Sequence, residues 1–286
     1  MQYPTLKADA LAAKKRLKAN GHKFVSLLSK PTDNPKLAKS AKLNVLSSPL
    51  HLAPAELSGF NVCPMSSAGC RAACLHTAGN PAFMSAKASS RIDRTKAYFN
   101  HRPDFMLVLA YEIAKLEKTA RATGKIPAVR LNATSDIPWE NVHVQLGRHR
   151  FANLMEMFPG CTYYDYTKRS NRKKLPVNYS LTFSLAEDND RKAIEAHKNG
   201  MNIAAVFDTK RTKDLPATYQ IAGTTIAVID GDEHDYRPAD IKGVIVGLRA
   251  KGDARKDTSG FVRKVAPATL IEAAQAMGKL EIVTVR

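Results

Sequence analysis

Three of the four cysteines in this chain lie in one short segment that is rich in small and turn-forming residues. They are Cys63, Cys70 and Cys74, with the spacing C-x6-C-x3-C, and the fourth cysteine lies far along the chain. Thiols grouped in this way, without signs of secretion, are more typical of metal binding than of disulfide bonds. Three ligands from one loop would leave a coordination position open, and an open position distinguishes a reactive metal centre from a structural one.

The spacing of the cysteines bears on which metal they would bind. Zinc domains usually carry two short Cys pairs. This sequence has no second pair, so a zinc ion would need His76 or Cys161 as its fourth ligand. A trio of thiolates suits an iron–sulfur cluster in which the fourth iron stays free for another ligand. We therefore predict a [4Fe-4S] cluster on Cys63, Cys70 and Cys74, with zinc as the alternative metal and Cys161 as a buried apolar residue.

Polar residues follow the predicted strands at the points where those strands end. The carboxyl ends of parallel strands meet at one edge of a sheet, which is where active sites form in barrels and doubly wound folds. The strand predicted at 44–50 leads into the cysteine loop, so we expect the thiols at the same edge. The candidate catalytic residues are Asp136, Asp165 and Lys168. The candidate cofactor-binding residues are Arg130, Asn132, Ser184, Asp230, Asp232 and Lys251.

Arg130 is a separate case because it lies within an otherwise apolar predicted strand. A buried guanidinium needs a carboxylate or a phosphate-like partner to offset the loss of hydration. Asp136 or Asp165 could be that partner.

Segments of β-branched and apolar residues alternate with predicted helices along most of the chain. The strands are nearly continuous in their hydrophobicity, as expected for parallel strands buried on both faces, and the alternation predicts an α/β fold. Helices are predicted at about 81–99, 103–123, 142–157, 190–198 and 268–277. The later strands are predicted at 128–132, 162–166, 179–184, 202–208, 225–230, 243–248 and 281–285.

The chain is strongly basic, with 44 Lys and Arg against 26 Asp and Glu and a formal net charge of +18. Residues 1–42 hold ten of these cations, so we predict a basic N-terminal arm there and an α/β domain at 43–286. The charge suggests attraction to nucleic acid or to a nucleotide, although a solubilising surface would have the same composition. No secretion signal or membrane-spanning run is visible, so we expect a cytoplasmic protein without a membrane partner. No feature predicts an oligomeric state.

A three-cysteine loop after the first strand of a βα barrel resembles the layout of radical S-adenosylmethionine (SAM) enzymes. The usual motif in those enzymes is C-x3-C-x2-C, and this chain departs from it; no Gly-Gly-Glu-like segment is present either. The resemblance implies a partial or complete (βα) TIM-like barrel. It also implies SAM as a candidate cofactor at the free iron and an external reductant as a partner of the cluster.

The chain also resembles the gene-product-88-like proteins of phages over residues 43–265. This resemblance implies a phage or prophage origin, and hence a location in the host cytoplasm, but no particular activity. The matching segments are 52–59, 63–79, 129–139, 164–168, 181–184, 228–232 and 257–261.

Three functions fit these observations. The first is a radical-SAM-like iron–sulfur enzyme that acts on a nucleotide or a nucleic-acid-related substrate. The second is a nucleic-acid-binding phage protein with a structural zinc or iron–sulfur site and no catalysis. The third is a magnesium- or manganese-dependent hydrolase, which would leave the cysteines unexplained. Its metal ligands would be Asp136, Asp165, Asp208 and Asp230.

Overall fold

A computed structural model of the protein describes residues 3–31, 43–74, 85–210 and 214–265. Its helices are α1 (Leu6–Ala19), α2 (Ala68–Ala72), α3 (Ser85–Asn100), α4 (Arg102–Ala122), α5 (Leu154–Met157) and α6 (Asp190–Lys198). Its first six strands are β1 (Val45–Pro49), β2 (Ile126–Arg130), β3 (Val144–Leu146), β4 (His149–Phe151), β5 (Thr162–Thr167) and β6 (Tyr179–Ser184). The others are β7 (Asn202–Phe207), β8 (Thr218–Ile221), β9 (Thr224–Asp230), β10 (Ile245–Arg249) and β11 (Val262–Arg263).

Most strands belong to one mainly parallel sheet with the order β1-β2-β5-β6-β7-β10-β9-β8. Every neighbouring pair in this order is parallel except β8 and β9. β11 also pairs with β7, at Val206 and Phe207. Along that stretch β10 pairs with one edge of β7. β11 therefore lies along the opposite edge, beyond the point where β6 ends. The predicted α/β fold with a mostly parallel sheet is therefore confirmed.

The complete TIM-like barrel that we considered is not observed. Closure would need the two outer strands of the sheet to pair with each other, and in the described part of the chain no ladder joins β1 to β8 or β9. The sheet is open in this sense.

The two faces of the sheet are packed differently. Val129, Leu131 and Tyr163 point to the face that forms the large apolar core with α4. Ala128 and Tyr164 point the opposite way, into a small cluster with Tyr236. Side chains alternate between the faces of a strand, so the segment after β9 that carries Tyr236 covers the second face.

The long helix α4 follows its prediction closely. Pro103 and Asp104 occupy its first turn, which suits the missing amide of Pro and the positive end of the helix dipole. Apolar side chains recur on one face and are buried. The chain turns after Thr123, where Gly124 adopts a left-handed conformation (φ +64°). This helix covers β2 and β3.

The helix predicted at 142–157 is wrong. The structure has the β3–β4 hairpin there, followed by the single-turn helix α5. Val144 and Leu146 are buried while Gln145 is exposed, which is the two-residue period of a strand. Gly147 turns the chain with φ +55°, a conformation that suits glycine and would break a helix.

The N-terminal segment expected to form an arm packs on the body of the protein wherever it is described. Leu6 and Leu17 of α1 are buried, and α1 makes extensive contacts with α4. The amides of Leu27 and Leu28 donate to the Glu112 carboxylate of α4, at 2.7–3.0 Å. The predicted domain boundary after residue 42 lies outside the described residues.

The remaining predicted elements lie in the last part of the chain. The strand β8 was not predicted. The helix expected at 268–277 and the strand expected at 281–285 lie outside the described residues. Among the helices that the structure describes, none combines the length and hydrophobicity of a membrane span.

The packing of α1 can be tested by comparing two leucines of the same helix. Leu17 is 1% exposed and Leu11 is 48% exposed. Leu17→Ala should lower the free energy of unfolding by about 2–5 kcal/mol because it leaves a cavity against α4. Leu11→Ala should change it by less than about 0.5 kcal/mol. Urea unfolding measures both values, and equal effects of the two changes would contradict the packing.

Candidate functional site

The cysteine loop is ordered by local hydrogen bonds. The Cys63 amide donates to Asn61 Oδ1 at 2.9 Å, and its carbonyl accepts from the Ser66 amide at 2.9 Å. Ser67 caps α2, because its Oγ accepts from the Cys70 amide at 3.2 Å. Cys70 therefore lies on a short helix that begins inside the loop, and Cys74 follows its end. All three thiols are partly buried.

Glu187, which follows β6, holds this loop against the sheet. Its carboxylate accepts hydrogen bonds from Ser67 Oγ and from the Gly69 amide, both at 2.7 Å. Burial acts to raise the pKa of Glu187, but these hydrogen bonds outweigh it and the pKa is lowered. A Cβ at Gly69 would lie 2.1 Å from Ser259 Oγ and 2.8 Å from Glu187 Oε1. The cysteine loop can therefore lie this close to Ser259 and Glu187 only because residue 69 is glycine.

The loop after β2 supports the other end of the cysteine loop. The Asp136 amide donates to the Val62 carbonyl at 2.8 Å, and Cys63 Sγ contacts the Thr134 carbonyl at 3.7 Å. The thiols thus lie between the loops that follow β2 and β6.

One cavity of about 220 Å³ brings the three cysteines together with most of the predicted residues. It opens at the carboxyl ends of the parallel strands, as the sequence predicts for a shared edge. The predicted residues that line it are Cys63, Cys70, Cys74, Arg130, Asn132, Asp136, Lys168, Ser184, Asp232 and Lys251. Asp165 and Asp230 are not part of its lining.

Asp165 lies beneath the cavity rather than in it. Its side chain is fully buried and accepts from the Asn132 amide at 2.6 Å and from the Tyr179 hydroxyl at 2.8 Å. Burial raises the pKa of Asp165 to about 7, although both hydrogen bonds oppose the rise. These contacts make Asp165 a support for the start of the loop after β2.

The Asn132 side chain organises that same loop. Its Oδ1 accepts from Ser135 Oγ at 2.8 Å, and from the Ile137 amide and Trp139 Nε1 at 3.0 Å each. Its Nδ2 donates to the Ile137 carbonyl at 2.9 Å. These hydrogen bonds of the Asn132 side chain fix the turn that carries Asp136.

Lys168 is a cation that lies close to the thiol of Cys70. Its Nζ donates to Ser184 Oγ at 2.9 Å and lies 5.4 Å from the ring centre of Phe261. Burial raises the pKa of Cys70, and the charge and a hydrogen bond of Lys168 lower it. The Lys168 amide also donates to Asp136 Oδ2 at 3.0 Å. Lys168 thus joins the loop after β5 to the cysteine loop.

Arg172 is a site-supporting residue that the sequence analysis missed. It lies within the basic run 168–174, which we expected either to contact phosphates or to form part of a solubilising surface, but its side chain is only 4% exposed. Its Nε donates to Glu140 Oε1 at 2.8 Å, and its Nη2 contacts the other Glu140 oxygen and the Tyr179 hydroxyl. It also lies 3.9 Å from Asp136. The sequence of a basic run does not show which of its side chains will be buried.

Arg130 is paired with a carboxylate other than the two we predicted. Its Nη1 donates to both oxygens of Asp235, at 3.2 and 3.1 Å, so pairing with Asp136 or Asp165 is wrong. The guanidinium also stacks over Tyr166, 4.7 Å from the ring centre. Burial acts to lower the pKa of Arg130, but Asp235 and the nearby tyrosines raise it.

The carboxylates at the end of β9 pair with the cations at the end of β10. Arg249 Nη1 donates to Asp230 at 2.8 and 3.0 Å, and Lys251 Nζ donates to Asp232 at 2.7 Å. The Asp232 carboxylate also accepts from the Arg249 amide at 3.1 Å. These contacts tie two strand ends together at the cavity wall.

Burial makes the thiols of Cys63 and Cys70 weaker acids than a free cysteine, because the pKa of each is raised. Burial raises the pKa of Cys63 to about 11, and the nearby Cys74 and Cys70 add to the rise because neighbouring thiolates repel each other. Metal binding would therefore displace protons. Cys161 is 1% exposed in the apolar core, as predicted.

The arrangement does not contain a ready single-ion site. Among the described residues, no group of three or more His, Cys, Asp or Glu side chains is placed so that it could hold one metal ion. His76, one of the two alternative zinc ligands, lies outside the described residues.

The pKa of Asp165 predicts a pH dependence of stability. Between about pH 4 and pH 7 the folded state binds more protons than the unfolded state, so stability should fall as pH rises through this window. Asp165→Asn should remove most of that fall while keeping an acceptor for the Asn132 amide. Urea unfolding from pH 4.5 to 8 measures the slope. The exposed Asp188→Asn variant is the control, and a slope unchanged by Asp165→Asn would contradict the assignment.

Comparison with known proteins gives a family for the chain but no close relative of known structure. No curated protein and no solved structure matches it significantly. The model of the family described as "Gene product 88" matches residues 26–265. This span is well over half of the chain, so the protein belongs to the gene product 88 family.

Proposed function

We propose that the protein is an iron–sulfur enzyme in which Cys63, Cys70 and Cys74 hold a [4Fe-4S] cluster at the wall of the cavity. Its substrate would be a nucleotide or a nucleic-acid-related molecule. SAM would be the cofactor that binds the free iron of the cluster. One observation carries the proposal: three cysteines of one loop line the same cavity as charged side chains from several strand ends.

The donor set fits a cluster better than a single zinc ion. Zinc domains usually carry two short Cys pairs, and this chain has no second pair. In a [4Fe-4S] cluster each thiolate binds a different iron, so the sulfur atoms stand farther apart. Three thiolates would leave the fourth iron facing the cavity.

The loop contacts support a site that is held in place before any ligand binds. Glu187 fixes Ser67 and Gly69, and the loop after β2 fixes Val62. Backbone amides and charges near cluster ligands tune a cluster's reduction potential. Lys168, which already acts on Cys70, would offset the negative charge that three thiolates bring.

The cavity walls can also exclude water. Leu185, Val206, Leu248 and Phe261 contribute apolar surface beside the charged residues. When bound, a cluster of this kind supplies one electron to its ligand, with an external reductant as the source. The chain contributes orientation and the exclusion of side reactions.

The strand arrangement supports the finer fold that we propose, a partial (βα) barrel of the radical SAM type. Strands β1, β2, β5, β6 and β7 lie side by side in the sheet in the same order as in the chain, and each is parallel to the next. The cysteine loop follows β1, the position that the resemblance implies.

The carboxylates are not gathered as a magnesium- or manganese-dependent hydrolase would need. Of the four aspartates considered for that function, Asp136 lines the cavity whereas Asp165, Asp208 and Asp230 do not. Asp136 accepts from Thr167 Oγ1 and from the Lys168 amide. The hydrolase is therefore the weaker proposal.

Metal content distinguishes the cluster from zinc. Protein purified without oxygen should be brown and contain about four iron and four sulfide per chain. Cys63→Ala, Cys70→Ala and Cys74→Ala should each lose most of the iron and the visible absorbance. Cys161→Ala is the matched control and should keep both, because Cys161 lies in the core.

Colourless protein with one zinc per chain would contradict the cluster and favour the nucleic-acid-binding protein with a structural metal. Equal iron loss in Cys161→Ala would mean that the assay reports folding rather than ligation. Circular dichroism of each variant separates these two effects.

The proposal that SAM binds the cluster is tested by measuring SAM cleavage. Reduced, iron-loaded protein given SAM should break the C5′–S bond and release methionine and 5′-deoxyadenosine, with one electron from the reductant and one hydrogen atom from substrate or solvent. The three cysteine variants should release less than about a hundredth of the wild-type amount, and Cys161→Ala should match wild type. Intact SAM with a fully loaded cluster would contradict SAM chemistry while leaving the cluster in place.

A further inference from the structure

Arg130 presents donor atoms that none of the described residues uses. Asp235 contacts only Nη1 of the guanidinium. The Nε atom is buried and has no hydrogen-bond partner among the described residues. Nη2 also makes no hydrogen bond with them, and it is not among the fully buried unpaired atoms. A buried donor without a partner is unfavourable by itself, which points to a partner that is not part of the described chain.

The two unused atoms form one edge of the guanidinium. Nε and Nη2 point in the same direction and match the two oxygens of a carboxylate or phosphate. Two other arginines of this protein use the same edge in this way. Arg16 presents Nε and Nη2 to Asp104, and Arg172 presents them to Glu140.

The position of Arg130 makes its open edge available to a ligand. The residue lines the cavity, and its side chain is 17% exposed. Asp235 and the ring of Tyr166 fix the plane of the guanidinium. Arg169, Arg237 and Arg263 also have a buried Nε without a hydrogen-bond partner among the described residues, but none of these three residues lines the cavity.

The surroundings of this edge are electropositive. His51, at the end of the strand next to β2, has its pKa lowered to about 3 by burial and by the charges of Arg91, Arg130 and Arg94. His51 is therefore neutral and adds no charge of its own. Arg91 and Arg94 do not line the cavity, but their positive charges act on the same histidine as that of Arg130, and positive charge in this region favours anionic ligands.

We propose that the Nε–Nη2 edge of Arg130 binds an oxyanion with two coplanar oxygens, a carboxylate or a phosphate, of the small molecule that occupies the cavity. This inference deepens the proposed function and rests on the same cavity, but it does not depend on which metal the cysteines bind. The anion completes the hydrogen bonds of a guanidinium that Asp235 and Tyr166 already orient.

The test follows the side-chain Nε–H signal of Arg130 in uniformly 15N-labelled protein. The signal is identified by its absence from the spectrum of Arg130→Lys, which keeps the charge but lacks the two-donor edge. Four probes form two matched pairs, adenosine monophosphate with adenosine and methionine with methioninamide. The first pair reports a phosphate and the second a carboxylate.

One anionic probe should shift the Arg130 signal and bind about 10- to 100-fold more tightly than its neutral partner, as expected for hydrogen bonds between charged groups. Arg130→Lys should remove that preference. Arg16→Lys should keep it, because Arg16 pairs with Asp104 at the surface. If Arg130→Lys does not fold, the affinity of wild-type protein for each anionic probe against its neutral partner still tests the inference, because that ratio needs no assignment of the Arg130 signal.

Failure of both anions to shift the signal, or an unchanged preference in Arg130→Lys, would overturn the inference. Iron and sulfide are measured on the same samples. Iron-loaded protein without a response from Arg130 would refute this inference alone. A response in protein that holds no iron would support it and refute the cluster.

Discussion

The Glu187 carboxylate is the contact on which the arrangement of the site depends. It reaches from the end of β6 to Ser67 and Gly69 and so holds the start of α2, the helix on which Cys70 lies. Hydrogen bonds from a hydroxyl and an amide to a partly buried carboxylate are strong and directional. The approach is close because residue 69 has no side chain, and Ser259 takes up the space that one would need.

A second layer of buried polar contacts supports the cavity from below. Asp165 connects Asn132 to Tyr179, and Tyr179 in turn contacts Arg172, which pairs with Glu140. These groups are buried together and hydrogen-bond one another, which keeps the position of the network defined, although Arg172 Nη1 has no hydrogen-bond partner among the described residues. The loop that carries Asp136 is thereby fixed to β5 and β6. The candidate site therefore rests on strand ends rather than on free loops.

Local patterns predicted much of this architecture and the residues that gather at the cavity. The limits of β6 and α6 agree with the prediction because each has a clear period and a turn at both ends. The hairpin at 144–151 was missed because short strands with charged residues also fit a helix. The partner of Arg130 was missed because Asp235 is distant in sequence, and no local pattern shows which turn folds over the second face of a sheet.

The cavity is built from both ends of the described chain. The cysteine loop comes from its first third, whereas the residues that lie over it, Ser259 and Phe261, come from its last. Since β11 takes its place only beside a finished β7, the thiols are made long before their cover exists. During synthesis the cysteine loop is therefore exposed until the residues that lie over it have been made. Once Phe261 is in place, it lines the same cavity as the three thiols.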